Sequence, residues 1–145
     1  MPGIKVTLRD PDDSTNVIRA EFATARTHPE LKDKLKTIAS CDTKESLLGR
    51  RRELAMGELA TATTETELNE AAEALQKATD AVNDASMALF EAIRDFIVAG
   101  FQLSGATPEL AEKLAGLVDV ERLPELKAKC LFGAGVVDFT RGDAR

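Results

Sequence analysis

The sequence predicts a mainly α protein with a small N-terminal β-hairpin (α+β), a compact helical domain built around one long heptad-patterned helix. Three observations carry that expectation. Ile4, Val6 and Leu8 alternate with Lys5, Thr7 and Arg9, the period-two pattern of a half-buried strand. Leu68, Leu75, Val82, Leu89, Phe96 and Leu103 recur every seven residues, and Ala71, Ala78, Ala85, Ala92 and Ala99 recur in step with them. These are the a and d positions of a helix packed along its length against another. The 145 residues are 43% hydrophobic and 30% charged, a balance that supports one folded domain and argues against global disorder. The expected organisation is a single domain, 1–145, with a β-hairpin at 1–23, a helical core at 27–133 and a flexible polar tail at 140–145.

Each element has its own signal. After the first strand, Asp10-Pro11-Asp12-Asp13-Ser14 is a turn cluster, and Ile18, Ala20 and Phe22 then alternate with Arg19 and Glu21. An isolated two-stranded sheet is marginal in water, so this hairpin must pack on helices or pair with another chain. Its free edge could add a strand between neighbouring copies. Thr27-His28-Pro29-Glu30 reads as a helix start, followed by Leu31, Leu35 and Ile38 on one face. Asp42-Thr43-Lys44-Glu45 reads as a second start, for a helix carrying Leu47, Leu48, Leu54, Ala55 and Leu59. Thr61-Ala62-Thr63-Thr64 breaks the pattern, and Thr64 with Glu67 opens the heptad helix.

Alanine at the d positions lets a partner backbone approach closely. The first half of the heptad helix is acidic on its outer surface, and Arg50-Arg51-Arg52 is its expected neighbour. In the second half, Phe90, Ile93, Ile97 and Phe101 add an apolar face beside Leu89, Phe96 and Leu103. A helix apolar on two faces is buried on two sides. That segment is therefore either the centre of the core or a core element that also meets a partner; exposed apolar faces are the rarer case. Ser104-Gly105 ends the helix. Thr107-Pro108 caps the next one, with Leu110, Leu114 and Leu117 as its buried stripe. Asp119 precedes a short helix carrying Leu123, Leu126 and Cys130, Gly133 stops it, and Val136, Val137 and Phe139 form a short strand or an apolar tail.

Charge and chemistry narrow the function. The net charge of −6 and pI near 4.9 oppose a phosphate-facing surface, and the single basic run, Arg50 to Arg52, is flanked by Glu45 and Glu53 with no interleaved aromatic. No nucleic-acid partner is expected. Met1-Pro2-Gly3-Ile4-Lys5 has no apolar run behind its charge, so neither a signal peptide nor a membrane span is expected. Cys41 and Cys130 form no C-x-x-C unit and read as two reduced thiols. The one histidine, His28, stands beside Pro29 with no Ser or Cys motif arranged with it and reads as a capping or surface residue. No paired short spacing marks a metal site, Gly133 and Gly135 make no nucleotide fingerprint, and no two carboxylates are marked as an acid–base pair. Arg141-Gly142-Asp143 spells an adhesion tripeptide by chance. With no catalytic site, cofactor or metal expected, protein–protein interaction is the default for this acidic helical chain.

The run from Leu89 through Asp95-Phe96 to Gly100-Phe101, then Thr107-Pro108-Glu109-Leu110, Gly116-Leu117 and Leu123-Pro124-Glu125-Leu126, resembles the tail assembly chaperones of long-tailed (siphovirus-like) bacteriophages. The resemblance is best over Ala88 to Cys130; at the turn, where the family often reads Phe-Gly-Asn-Gln-Phe-Thr, this chain has Gly100-Phe101-Gln102-Leu103-Ser104. It implies a non-enzymatic protein of the host cytoplasm that binds and solubilises the tape-measure protein. Several copies, a homo-oligomer, would coat that client until tail-tube subunits replace them, and the chaperone would be absent from the mature virion. The second apolar face, Phe90, Ile93, Ile97 and Phe101, is the candidate partner-binding set, although each of these residues taken singly suits a closed core. Two other readings stand beside this one: a structural virion component (a minor head–tail or tail protein), and a generic coiled-coil adaptor dimerising through the Leu68-to-Leu103 stripe.

Overall fold

The computed structural model describes residues 3–13, 15–133 and 135–141. The protein is mainly helical with a small N-terminal β-hairpin, as the two periodicities predict. Strands β1 (Ile4–Arg9) and β2 (Val17–Phe22) are followed by helices α1 (Glu30–Thr61), α2 (Glu65–Leu103), α3 (Pro108–Ala115) and α4 (Leu123–Phe132), then by β3 (Gly135–Asp138). Residues 142–145 of the predicted polar tail lie outside the described residues, and with them Gly142 and Asp143 of the tripeptide. The chain divides into two compact units. One, the sheet unit, joins the residues up to Lys36 with those from Arg94 onward; the other, the helical unit, is Thr37–Ile93.

In the sheet unit, β1 and β2 pair antiparallel from Ile4↔Phe22 to Arg9↔Val17. The turn between them is held by acidic side chains. Asp10 Oδ1 accepts the Asp12 amide at 2.9 Å, and Asp13 Oδ1 accepts the Thr15 hydroxyl at 2.6 Å and the Thr15 amide at 3.0 Å. The hydroxyl bond, then the amide bond, hold the Asp13 carboxyl below the usual range. The hairpin is completed within the same chain: β3 pairs parallel with β1, Ile4↔Gly135 to Thr7↔Asp138, giving the order β2-β1-β3. Of the two forms the sequence allowed for Val136, Val137 and Phe139, a short strand or an apolar tail, Val136 and Val137 take the strand, paired parallel, and Phe139 lies just beyond it. The 3₁₀ turn Phe139–Arg141 follows it. Thr140 is fixed there by its amide bond to Asp138 Oδ1 and by the Arg9 guanidinium, which donates to its carbonyl.

One face of the sheet is apolar. Ile4, Val6, Leu8, Phe22 and Val137 are at most 1% exposed, whereas Lys5, Arg9, Arg19 and Glu21 on the other face are exposed. That contrast is the alternation of the sequence made physical, because a strand sends successive side chains to opposite faces. Phe96 and Phe101 of α2 pack on Phe22 of this face, and Leu31 of α1, Ala111 and Leu114 of α3, and Leu123, Leu126 and Cys130 of α4 are buried in the same unit. The caps of α3 and α4 follow the sequence: Thr107 Oγ1 accepts the Leu110 amide at 3.2 Å, and Gly133 ends α4 at φ +142°, a conformation L side chains rarely adopt. Asp119 caps the single 3₁₀ turn Val120–Arg122 ahead of α4 through the Glu121 amide at 3.0 Å.

The helical unit departs further from expectation. The two helices predicted around Thr27 and Asp42 are one helix, α1, 32 residues long. Thr27 does not cap it: its hydroxyl bonds back to Thr24, and the His28 amide donates to the Thr24 carbonyl, forming a turn ahead of Glu30. Asp42 and Thr43 lie exposed in mid-helix. A cap sequence opens a helix only where something has ended the previous one, and there is no Gly or Pro between Glu30 and Leu48. The break at residues 62–64 is as predicted. Thr64 Oγ1 accepts the Glu67 amide at 3.1 Å, and the Thr63 and Thr64 hydroxyls both donate to the Glu67 carboxylate, which lowers its pKa.

Two side-chain bonds fix how α1 and α2 run past one another in this unit. The Ser86 hydroxyl donates to Glu45, and Arg52 Nε donates to Thr79 Oγ1 at 3.1 Å. Glu45 to Arg52 is seven residues forward and Ser86 to Thr79 seven residues back, so the helices are antiparallel. The basic run thus does neighbour the acidic helix, and Arg52 meets it through a threonine hydroxyl. Apart from Ile38 near one end of the unit, the buried positions here are small: Ala55, Ala71, Ala85 and Ala92. Leu75, Val82 and Leu89 are half-buried, and Leu68 is exposed. The seam therefore centres on the d alanines, with the larger a residues at its margin.

Candidate functional site

Phe90, Ile93, Ile97 and Phe101 fall in different environments. Phe101 is fully buried and Ile97 is 4% exposed, both in the sheet unit; Ile93 is half-buried and Phe90 is 62% exposed, both in the helical unit. The Phe101 ring stands edge-on to Phe22, centroids 5.2 Å apart, and Phe96 meets the same ring at 5.3 Å. Such edge-to-face clusters are a preferred aromatic arrangement. Gly100 makes it possible: a Cβ there would fall inside the Phe22 ring, and the Gly100 carbonyl accepts the Ala23 amide at 3.0 Å. The Gly100-Phe101 step therefore serves packing of the sheet unit. Of the four candidates, Phe90 is the one on the surface.

The helical unit exposes further large apolar side chains. Leu47, Leu54, Met56, Leu68 and Met87 join Phe90, all between 47% and 69% exposed. Of the apolar residues expected on the helix after Asp42, Ala55 is buried while Leu47 and Leu54 are exposed, a matter of helical phase. Leu47 and Leu48 are adjacent and so lie about 100° apart on a helix. Only one of them can share a stripe with Ala55 and Leu59. Leu47 and Leu54 are seven apart and form a second, exposed stripe; the Leu-Leu doublet is the signal that marks it.

A second surface lies in the sheet unit. An open groove runs between β2 and the start of α3, lined by Ile18, Ala20, Phe101, Ser104, Leu110 and Leu114. Ile18 and Ala20 are on the inner face of β2 but only half-buried, and Leu110 is 46% exposed. Arg94 and Glu112 form an ion pair at 3.1 Å in the same unit.

Chemically reactive arrangements are few. Cys130 is buried, its Sγ is 3.6 Å from the Ala23 carbonyl, and burial pushes the thiol up to about 11. It is a protonated packing group at neutral pH. Among the described residues, no group of three or more His, Cys, Asp or Glu could hold a metal ion, and no helix is long and apolar enough to cross a membrane. His28 is half-buried at the turn before α1. No protein-family model, no curated protein and no solved structure matches this chain.

Proposed function

We propose that the chain is a phage tail assembly chaperone that binds and solubilises the tape-measure protein in the host cytoplasm and is left out of the mature virion. The observation that carries this reading is the set of large apolar side chains left on the surface of the helical unit, Leu47, Leu54, Leu68, Met87 and Phe90. An amphipathic helical client covers such residues by laying its own apolar stripe against them. The resemblance over Ala88 to Cys130 supplies the identity of that client. The net charge of −6 suits a shield that must stay soluble while presenting apolar area. Several copies would act on one long client; neither nucleic acid nor membrane enters the reading.

The test is co-expression with the long helical protein encoded beside this chain in its source genome. Wild type should make that protein soluble and co-purify with it. Phe90→Asp and Leu54→Asp should abolish rescue while leaving the circular dichroism and melting of the chain alone unchanged, because both side chains are exposed. Phe101→Asp tests folding instead, since Phe101 is buried. A client that stays insoluble beside wild type would overturn the reading. The coiled-coil adaptor reading is favoured by the exposure of Leu68 at one end of the heptad stripe; it requires a dimer that Leu68→Glu dissociates. A structural virion role requires the chain in purified particles by mass spectrometry.

A further inference from the structure

We infer that β2 is a self-pairing edge: two copies of this chain join antiparallel through β2 in one register, with Arg19 of each opposite Glu21 of the other. β2 is an outer strand of the sheet. In an antiparallel pair, residues alternate between those bonded to the neighbour and those facing away. The phase is set at the turn, where the Asp10 amide donates to Asn16, placing the even-numbered residues Ile18, Ala20 and Phe22 in hydrogen bonds with β1. Val17, Arg19, Glu21 and Ala23 then point their backbone groups outward. The Ala23 amide confirms the phase, because it leaves the sheet to reach the Gly100 carbonyl at 3.0 Å. That bond also closes the edge at one end. Among the described residues none bonds the outward amides of Arg19 and Glu21.

Charge selects the occupant and the register. Pairing outward residues of β2 with outward residues of a second β2 permits three central registers. One puts Arg19 against Arg19 and another puts Glu21 against Glu21, and like charges directly opposite are unfavourable. The third puts Arg19 against Glu21 twice, related by a two-fold axis, as an isologous contact requires. Ala20 then meets Ala20 on the axis in a non-hydrogen-bonded pair, the position where the two backbones come closest. The inner faces of both strands lie on the same side of the joined sheet. Ile18 and Ala20 of one copy thereby extend over the groove that leaves Ile18, Ala20 and Leu110 of the other part-exposed. The sheet would grow from three strands to six, and the half-buried inner face of β2 would be covered.

This pairing needs no client, so its test on the purified full chain leaves the chaperone reading to stand or fall separately. Sedimentation equilibrium of wild type should show a mass that doubles with concentration. Arg19→Glu and Glu21→Arg should each stay at monomer mass over the same range. Mixed in equal amounts they should form a heterodimer, since one variant then presents an acid at both positions and the other a base at both. That rescue excludes misfolding as the cause of the single-variant losses. Amide exchange at Arg19 and Glu21 should slow as wild type is concentrated. The proposal is overturned by a wild-type monomer at every concentration, by dimers that survive both variants, by a mixture that stays monomeric, or by protection of these amides only when a client chain is added.

Discussion

The two units bury different things. In the sheet unit the fully buried side chains include Phe22, Phe96 and Phe101 along with Ile4, Leu8 and Leu126; in the helical unit the buried positions are Ile38 and four alanines. Burying a Phe or Leu contributes about 1.5–3 kcal/mol, whereas a buried methyl group contributes about 0.8 kcal/mol. Three phenylalanines in one cluster therefore outweigh the whole alanine seam. The sheet unit also ties residues distant in sequence, β1 to β3 and Ala25 to the Cys130 carbonyl. In the helical unit, α1 and α2 are joined by the Ser86–Glu45 and Arg52–Thr79 side-chain bonds and by the alanine seam. The difference lies in what is buried and not in what is exposed: both units leave large apolar side chains on the surface, Val120 and Phe132 in the sheet unit and Leu54 and Phe90 in the helical unit, but only the sheet unit also closes a core of aromatic side chains. Regions with few buried apolar contacts open at lower free energy, so amides of β1 should outlast those of mid-α1 in hydrogen exchange.

The contrast breaks if the aromatic cluster is not what holds the sheet unit. Phe96→Ala leaves a cavity beside Phe22 and should cost about 3–5 kcal/mol, read from urea unfolding of the whole chain. Gly100→Ala should act in the same direction, because the added methyl must displace the Phe22 ring. A loss of under about 1 kcal/mol from Phe96→Ala would show that the unit collapses around the gap.

Alkaline pH probes the same core next. The Cys130 thiol is raised from its ordinary value of 9.0 to about 11 by burial. The unfolded chain therefore releases this proton before the folded chain does. Its contribution is intact below pH 9 and is lost as pH rises toward 11, about 2–3 kcal/mol across that window. The check is the difference in urea midpoint between wild type and Cys130→Ala at pH 8.5 and at pH 10.5 (roughly spanning the titration); the gap should shrink at the higher pH. Consistently, a thiol reagent at neutral pH should label half-buried Cys41 in the native protein and Cys130 only after unfolding.

Much of the sheet unit was legible. The alternation at Ile4 to Leu8, the cap at Thr107 and the stops at Gly105 and Gly133 all depend on neighbours close in sequence, whereas Val136, Val137 and Phe139 read equally as a short strand or an apolar tail. What the sequence did not yield depends on distance. β3 lies beside β1 because of the intervening fold, and nothing local to Gly135–Asp138 selects parallel pairing. Ile97 and Phe101 read as continuous with Phe90 because all three share a helical stripe; periodicity reports which residues are apolar together, not what covers them. The false helix start at Asp42 has the same origin, a correct local cap signal with no break before it.

Within the helical unit, Ala85→Leu tests whether the alanine seam is tight. Ala85 is 5% exposed beside Leu48 and Lys44 of α1. Three added carbons must push the helices apart, at a cost of about 1–3 kcal/mol. No loss of stability, coupled with a changed oligomeric state by sedimentation, would mean the seam is an interface between chains.

The smallest expected effect is the most informative about function. Leu54 is 69% exposed, so Leu54→Ala removes little buried area and should change stability by no more than about 0.5 kcal/mol. A helix-surface leucine that contributes nothing to the fold has to be accounted for by something outside it, or be incidental. Isolated exposed leucines are common, and one of them alone argues nothing. Leu47 and Leu54 share a stripe, however, and a client helix laid along it would touch both. The paired variant Leu47→Ala/Leu54→Ala should therefore leave urea unfolding within about 1 kcal/mol of wild type, the sum for two independent surface sites. It should also cut client rescue more than either single change. A large loss of stability from the pair would place the stripe inside an assembly of this chain and move the client surface to Met87 and Phe90.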